Sequence, residues 1–215
     1  MSRESALLAL IRDSVVGEDH VMRTPYGERR VTYADYTASG RALSFVEDYI
    51  RDRVLPLYAN THTEASATGL HTTALREDAR RIIHEAVNGG EEDVVVFCGS
   101  GTTGAIDKLV RVLDLDRAVV FVGPYEHHSN ELPWRESSAD VVTIGEDAAG
   151  RVDLEQLDYE LERYAHRRLK IGAFSAASNV TGIITESIGS RSRCTATVRC
   201  RCGTTRARGR TCRST

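Results

Sequence analysis

Ser100, Thr102 and Thr103 place three hydroxyl side chains in a Gly-Ser-Gly-Thr-Thr run at 99–103. Before the run, Val94, Val95, Val96 and Phe97 suit a buried strand. After it, Ile106, Leu109, Val110 and Leu113 recur at helical spacing. At such a break the glycines let the backbone approach an anion. The first N–H groups of the helix have no intrahelical acceptor and carry the positive end of its dipole, and the hydroxyls add donors. The chemistry this allows is phosphate binding. The run is neither GxxxxGK[ST], since no Lys follows the second glycine, nor GxGxxG. A glycine turn with a threonine cap opening an ordinary helix stands beside the phosphate reading.

Two further polar segments follow strand-like runs. Ala118–Val122 leads into Gly-Pro-Tyr-Glu-His-His-Ser-Asn-Glu-Leu-Pro-Trp at 123–134, and Lys170–Phe174 leads into Ser175–Gly182, which holds Asn179. Strand, helix, strand is a βαβ unit, and in open α/β sheets ligands sit beyond the ends of the strands, so the three loops converge on one edge. Taken alone, His127 reads as a capping or core histidine and Asn179 as a turn residue.

GSGTTGAID, EHHSNELPW and SNVTG, in this order and separation, resemble the N-terminal half of a class V aminotransferase or cysteine desulfurase-like enzyme. These are pyridoxal 5'-phosphate (PLP) proteins of fold type I. Tyr36–Gly40, Ala59–His62 and Ser66–Thr68 resemble the family's opening strand and its Asn-x-His loop, so the likeness runs over about residues 30–185. It implies an α/β fold: a partial fold type I large domain with a mostly parallel sheet and flanking helices, preceded by an N-terminal helix and hairpin. By the same resemblance Thr102 and Thr103 hold the cofactor phosphate, His127 stacks on the pyridine ring, and Asn179 donates to its O3' oxygen. His62, in the polar loop 58–71, is a candidate on the substrate side, as is His71. The implied activity is that of an amino-acid aminotransferase, cysteine desulfurase or related lyase acting as a homodimer. A non-PLP phosphate-binding α/β domain is the alternative that rests on the cup alone.

PLP chemistry also needs a lysine to form a Schiff base with the aldehyde and a carboxylate to pair with the pyridinium nitrogen. The sequence has two lysines, Lys108 and Lys170, neither in the family's His-Lys context. After Glu186 there is no Asp, Glu, Lys or His. The expectation is therefore a chain that stops before its Schiff-base lysine, with covalent cofactor attachment not expected, or an inactive fragment that keeps only the cup.

Charge divides the chain at the same place. All 31 acidic residues lie at or before Glu186 with 20 of the 28 basic ones, a net charge of −11, while the remaining 8 basic residues are arginines beyond it. Segment 187–215 also holds four of the five cysteines and lacks an apolar pattern, so it is expected to be disordered. A zinc knuckle wants regular Cys pairs, and single-strand binding wants aromatics. Neither fits, so no metal is expected and nucleic acid is a poor candidate. Translation of a shifted reading frame in a GC-rich gene accounts best for this composition.

The remaining elements position these loops. Residues 1–40 read as a short amphipathic helix and a hairpin around Pro25-Tyr-Gly27, and 41–186 as the partial cofactor domain. Leu43, Val46, Ile50 and Val54 line a helix that Pro56 ends. A second helix runs from Thr72 to Asn88, closed by Gly89-Gly90, and Asp153 with Gln156 resembles a capping box. His62, Glu64 and His71 lack a metal-ligand spacing. No apolar run reaches 18 residues, the N-terminus does not match a signal peptide, and Cys98 sits in an expected buried strand. A cytoplasmic setting is the expectation.

Overall fold

A computed structural model describes residues 3–184 and 196–200, in two compact units, Met1–Ile83 and His84–Thr215. The first begins with α1, Arg3–Asp13, followed by the expected hairpin of β1, Val21–Thr24, and β2, Gly27–Arg30, paired antiparallel. Thr24 closes its turn: Oγ1 accepts from the Tyr26 N–H at 3.1 Å and donates to the Gly27 carbonyl at 2.7 Å. Gly27 takes φ +91°, a conformation a side chain would strain.

The helix expected to end at Pro56 is less regular. It forms α2, Ser44–Tyr49, then a π turn at Ile50–Val54 and a 3-10 turn at Leu55–Leu57, with none of its residues buried. Pro56 has no N–H to give the carbonyl four residues back, so the ladder changes register before it. Next comes α3, Ala67–Ala86, which starts five residues before the expected Thr72. His71 is therefore helical and not part of a loop. The early start is capped by Ser66, whose Oγ accepts from the Gly69 N–H at 3.1 Å, and Thr72 Oγ1 ties the preceding loop to the helix by accepting from the Ala59 N–H at 3.0 Å.

The second unit is a layered α/β structure. Its elements are α4, Gly101–Val112; β3, Val119–Val122; α5, His128–Arg135; β4, Asp140–Thr143; α6, Leu154–Arg163; β5, Lys170–Ser175; and β6, Ala196–Cys200. The strands form a four-stranded sheet in the order β4-β3-β5-β6 with every pair parallel. Strand β3 is fully buried, as a strand covered on both faces must be. Its side chains alternate between two cores. Val120 and Val122 join Ile106 of α4, Trp134 of α5, Ile171 and Ala173 on one face; Val119 and Phe121 join Leu157 and Leu161 of α6 with Phe174 on the other. Asp153 caps α6 by accepting from the Glu155 and Gln156 N–H groups, both at 3.0 Å. Gln156 does not return the bond as in a full capping box; its Oε1 accepts from the Gly145 N–H at 2.7 Å.

Three expectations change. Val94–Phe97 forms no strand, and Val94 is 83% exposed. A doubly apolar strand needs neighbours on its edges, and no strand among the described residues pairs with it. Cys98 accordingly lies only half-buried. The segment after Gly123, read as loop, becomes α5 from His128 on, despite Pro133 inside it. Within the tail expected to lack regular structure, Ala196–Cys200 pairs with Ile171–Ser175 as β6, since an edge strand is held by backbone bonds that need no apolar pattern. The rest of the tail, including Cys194, Cys202 and Cys212, lies outside the described residues.

Candidate functional site

The cup at 99–103 forms as a sharp turn into α4. Ser100 and Gly101 both take left-handed conformations, each with φ +62°, so the backbone reverses over two residues. Ser100 gives α4 no side-chain cap. The N–H groups of Gly101, Thr102 and Thr103 occupy the first turn, where a helix offers no acceptor. A Cβ placed on Gly99 or Gly101 would meet nothing within 4 Å, so open space lies over this end of the helix. Gly104 is the opposite case: a Cβ there would run into the Gly99 carbonyl oxygen and lie 3.2 Å from the Ser100 Cβ. The turn closes only because residue 104 has no side chain.

His127 sits at the N-cap of α5, with β-region backbone dihedrals. The Ser129 N–H donates to its Nδ1 at 3.1 Å, and Ser129 Oγ lies 2.8 Å from the same nitrogen. A backbone N–H can only donate, so Nδ1 accepts and the neutral ring carries its hydrogen on Nε2. The capping role and the ring-stacking role are thus compatible, because the cap uses one nitrogen in the ring plane and the ring remains exposed. Thr103 and His127 line one groove of about 610 Å³ between α4 and α5, together with His128, Asp107 and Arg111. Arg111 donates to Asp107 at 2.8 Å, and this carboxylate raises the guanidinium pKa further above its usual value. The pair neutralises itself on the wall, where Glu136 adds a carboxylate; the N-terminus of α4 presents the positive end of its dipole.

Asn179 is exposed and is not part of that groove's wall. It occupies the turn after β5, which Ser178 holds instead. Ser178 Oγ accepts from the Val180 and Thr181 N–H groups at 3.2 and 3.1 Å, and its N–H donates to the Ile183 carbonyl at 2.9 Å. The Asn179 carboxamide is therefore not consumed in building its own turn. His62 belongs to the first unit, in a left-handed conformation with φ +67°, its backbone N–H donating to Thr73 Oγ1 at 3.1 Å.

Neither lysine approaches the cup. Lys108 is exposed on α4 outside the groove wall, and Lys170 Nζ donates to the Arg167 carbonyl at 2.9 Å where β5 begins, at the end of the strand away from its polar loop. Two contributors were not singled out in the sequence, Gly104 and Glu126. The close of GSGTTG could have pointed to the first. The second carries no local signal, because its partner Ser175 lies 49 residues away.

The aminotransferase class-V family model matches residues 32–194. Curated relatives include a probable cysteine desulfurase of Streptomyces coelicolor, 26% identical over 74% of this chain and 40% of its own length. A cysteine desulfurase of Synechococcus elongatus is 29% identical over 59% of this chain and 21% of its own length. The apo structure of the cysteine desulfurase from Thermococcus onnurineus NA1 shares the fold, with TM-score 0.63 and 22% identity, covering 82% of this chain and 42% of that one. The chain thus spans about two fifths of the length of the first of these curated relatives.

Proposed function

Because the chain belongs to the aminotransferase class-V family, whose members are PLP-dependent enzymes of amino-acid metabolism, we propose that the second unit binds PLP through the cup and His127. The observation that carries this reading is the meeting of Thr103, the last residue of the cup, with His127 on one groove that runs along α4 and α5; Gly101 and Thr102 are not on its wall. Next to Thr103, at the N-terminus of α4, the N–H groups of Gly101–Thr103 and the hydroxyls of Thr102 and Thr103 would hold a phosphate dianion. The His127 ring, fixed through Nδ1, would cover one face of a flat heterocycle. Asn179 would donate its amide to a ring oxygen. When bound, the cofactor supplies an electron sink for bonds at the α or β carbon of an amino acid.

The phosphate and ring-face contacts fit the group. The lysine that would anchor it covalently is not among these residues, so the binding proposed is non-covalent. Cysteine desulfuration is the activity favoured for the protein this chain represents, since the relatives are named for it. A homodimer in the cytoplasm belongs to the same reading and rests on the family alone.

Equilibrium dialysis with PLP tests the proposal. Thr103→Ala, losing a hydroxyl donor to a charged phosphate, should weaken binding about tenfold or more. His127→Ala, losing a stacking face, should weaken it about fivefold. Equal retention of PLP by the wild-type chain and both variants would sink the reading.

A further inference from the structure

Glu126 precedes His127 in the connection from β3 to α5, and its carboxylate reaches across the sheet edge to the end of β5. Oε1 accepts from the Ser175 N–H at 2.7 Å, and Oε2 accepts from Ser175 Oγ at 2.6 Å and from Asn130 Nδ2 at 2.8 Å. Three donors from two elements thus converge on one charged acceptor, the strongest class of neutral-donor hydrogen bond. Its path crosses Gly123, where a Cβ would lie 2.7 Å from Oε1 and 3.3 Å from Phe174 Cδ1. Asn130 is fully buried on α5, and among the described residues its Oδ1 has no partner, so Glu126 is what holds that side chain.

The two segments tied together are those that carry the ring contacts. His127 is the next residue after Glu126, and Asn179 lies four residues beyond Ser175. We infer that Glu126 is a positioning residue that sets the loops of His127 and Asn179 relative to each other, and so determines affinity for the pyridine ring and not for the phosphate. This rests on the PLP reading above. The cup closes separately, where the bare Gly104 admits the Gly99 carbonyl and its N–H donates to the Ser100 carbonyl at 3.4 Å, so disturbing Glu126 leaves phosphate recognition in place.

The test uses Trp134, the only tryptophan of the sequence, which is buried on α5 and whose fluorescence a bound PLP would quench by energy transfer. PLP is titrated against the full chain by this signal, and inorganic phosphate by calorimetry. Glu126→Gln keeps an acceptor for the Ser175 N–H but turns an amide donor toward Asn130 Nδ2. It should lower PLP affinity about tenfold while phosphate affinity stays within about twofold. Ser175→Ala, which removes only the Oγ contact, should do the same to a smaller degree, and serves if Glu126→Gln does not fold. Unchanged PLP affinity in both variants, or equal loss of PLP and phosphate affinity, overturns the positioning role while leaving PLP binding intact as a reading. A wild-type chain that binds phosphate but gives no saturable quenching by PLP overturns the PLP reading and the positioning role with it.

Discussion

Gly104 and Ser100 divide the work of shaping the cup between a missing side chain and a left-handed backbone. Gly104→Ala gains helix propensity of about 1 kcal/mol but forces a methyl against the Gly99 carbonyl, an overpacking cost of about 1–3 kcal/mol. The net expectation is a lower urea midpoint with weaker phosphate binding, whereas Gly101→Ala alters the left-handed turn without any clash. A midpoint for Gly104→Ala at or above wild type would show that the cup relaxes freely. At this scale, the residues that contiguous motifs made candidates were Thr102, Thr103, His127 and Asn179. Glu126 was not one of them, because its importance is a contact with a residue distant in sequence.

Element α5 shows why local pattern fails where tertiary packing decides. HSNELPWR is polar and contains Pro133, yet it is helical because Trp134 is fully buried against β3 and β5 and His127 caps its start. Trp134→Ala should cost about 3–5 kcal/mol, measurable by chemical denaturation. A loss below about 1 kcal/mol would mean that α5 does not depend on this anchor. β4 escapes a pattern reading for a related reason, being four residues with only partial burial. By contrast β3, β5, α4 and α6 follow from periodicity because their apolar positions meet a core on schedule. In the turn before α6, the Asp147 carboxylate accepts from the Arg151 and Ala149 N–H groups, both at 2.9 Å, and these bonds lower its pKa below the usual carboxylate value. A depressed folded pKa means the stabilisation is complete above the unfolded value and is lost as pH falls through the folded one. Asp147→Asn should therefore flatten the acid side of the melting-temperature profile, below about pH 4, and leave its neutral side parallel to wild type. An unchanged acid slope would count against this turn.

Across the whole molecule, apolar surface is left uncovered where the sequence expects a strand. Val94, Val96 and Phe97 lie exposed close together in sequence, an apolar stretch that can recruit another chain. Sedimentation velocity should show concentration-dependent association that Val94→Lys with Val96→Lys reduces; a monodisperse monomer at all concentrations would contradict this. No helix among the described residues is long and apolar enough to cross a membrane. The two lysines lie away from the cup, so borohydride reduction in the presence of stoichiometric PLP should leave the chain mass unchanged.

Amide chemical-shift mapping of the isotope-labelled chain with PLP tests the central claim most directly. The account expects the largest shifts at Gly101, Thr102, Thr103 and Ser129, with only the first three moving when inorganic phosphate replaces PLP. Shifts confined to another face of the second unit, such as the cleft lined by Arg117 and Arg168, would contradict it.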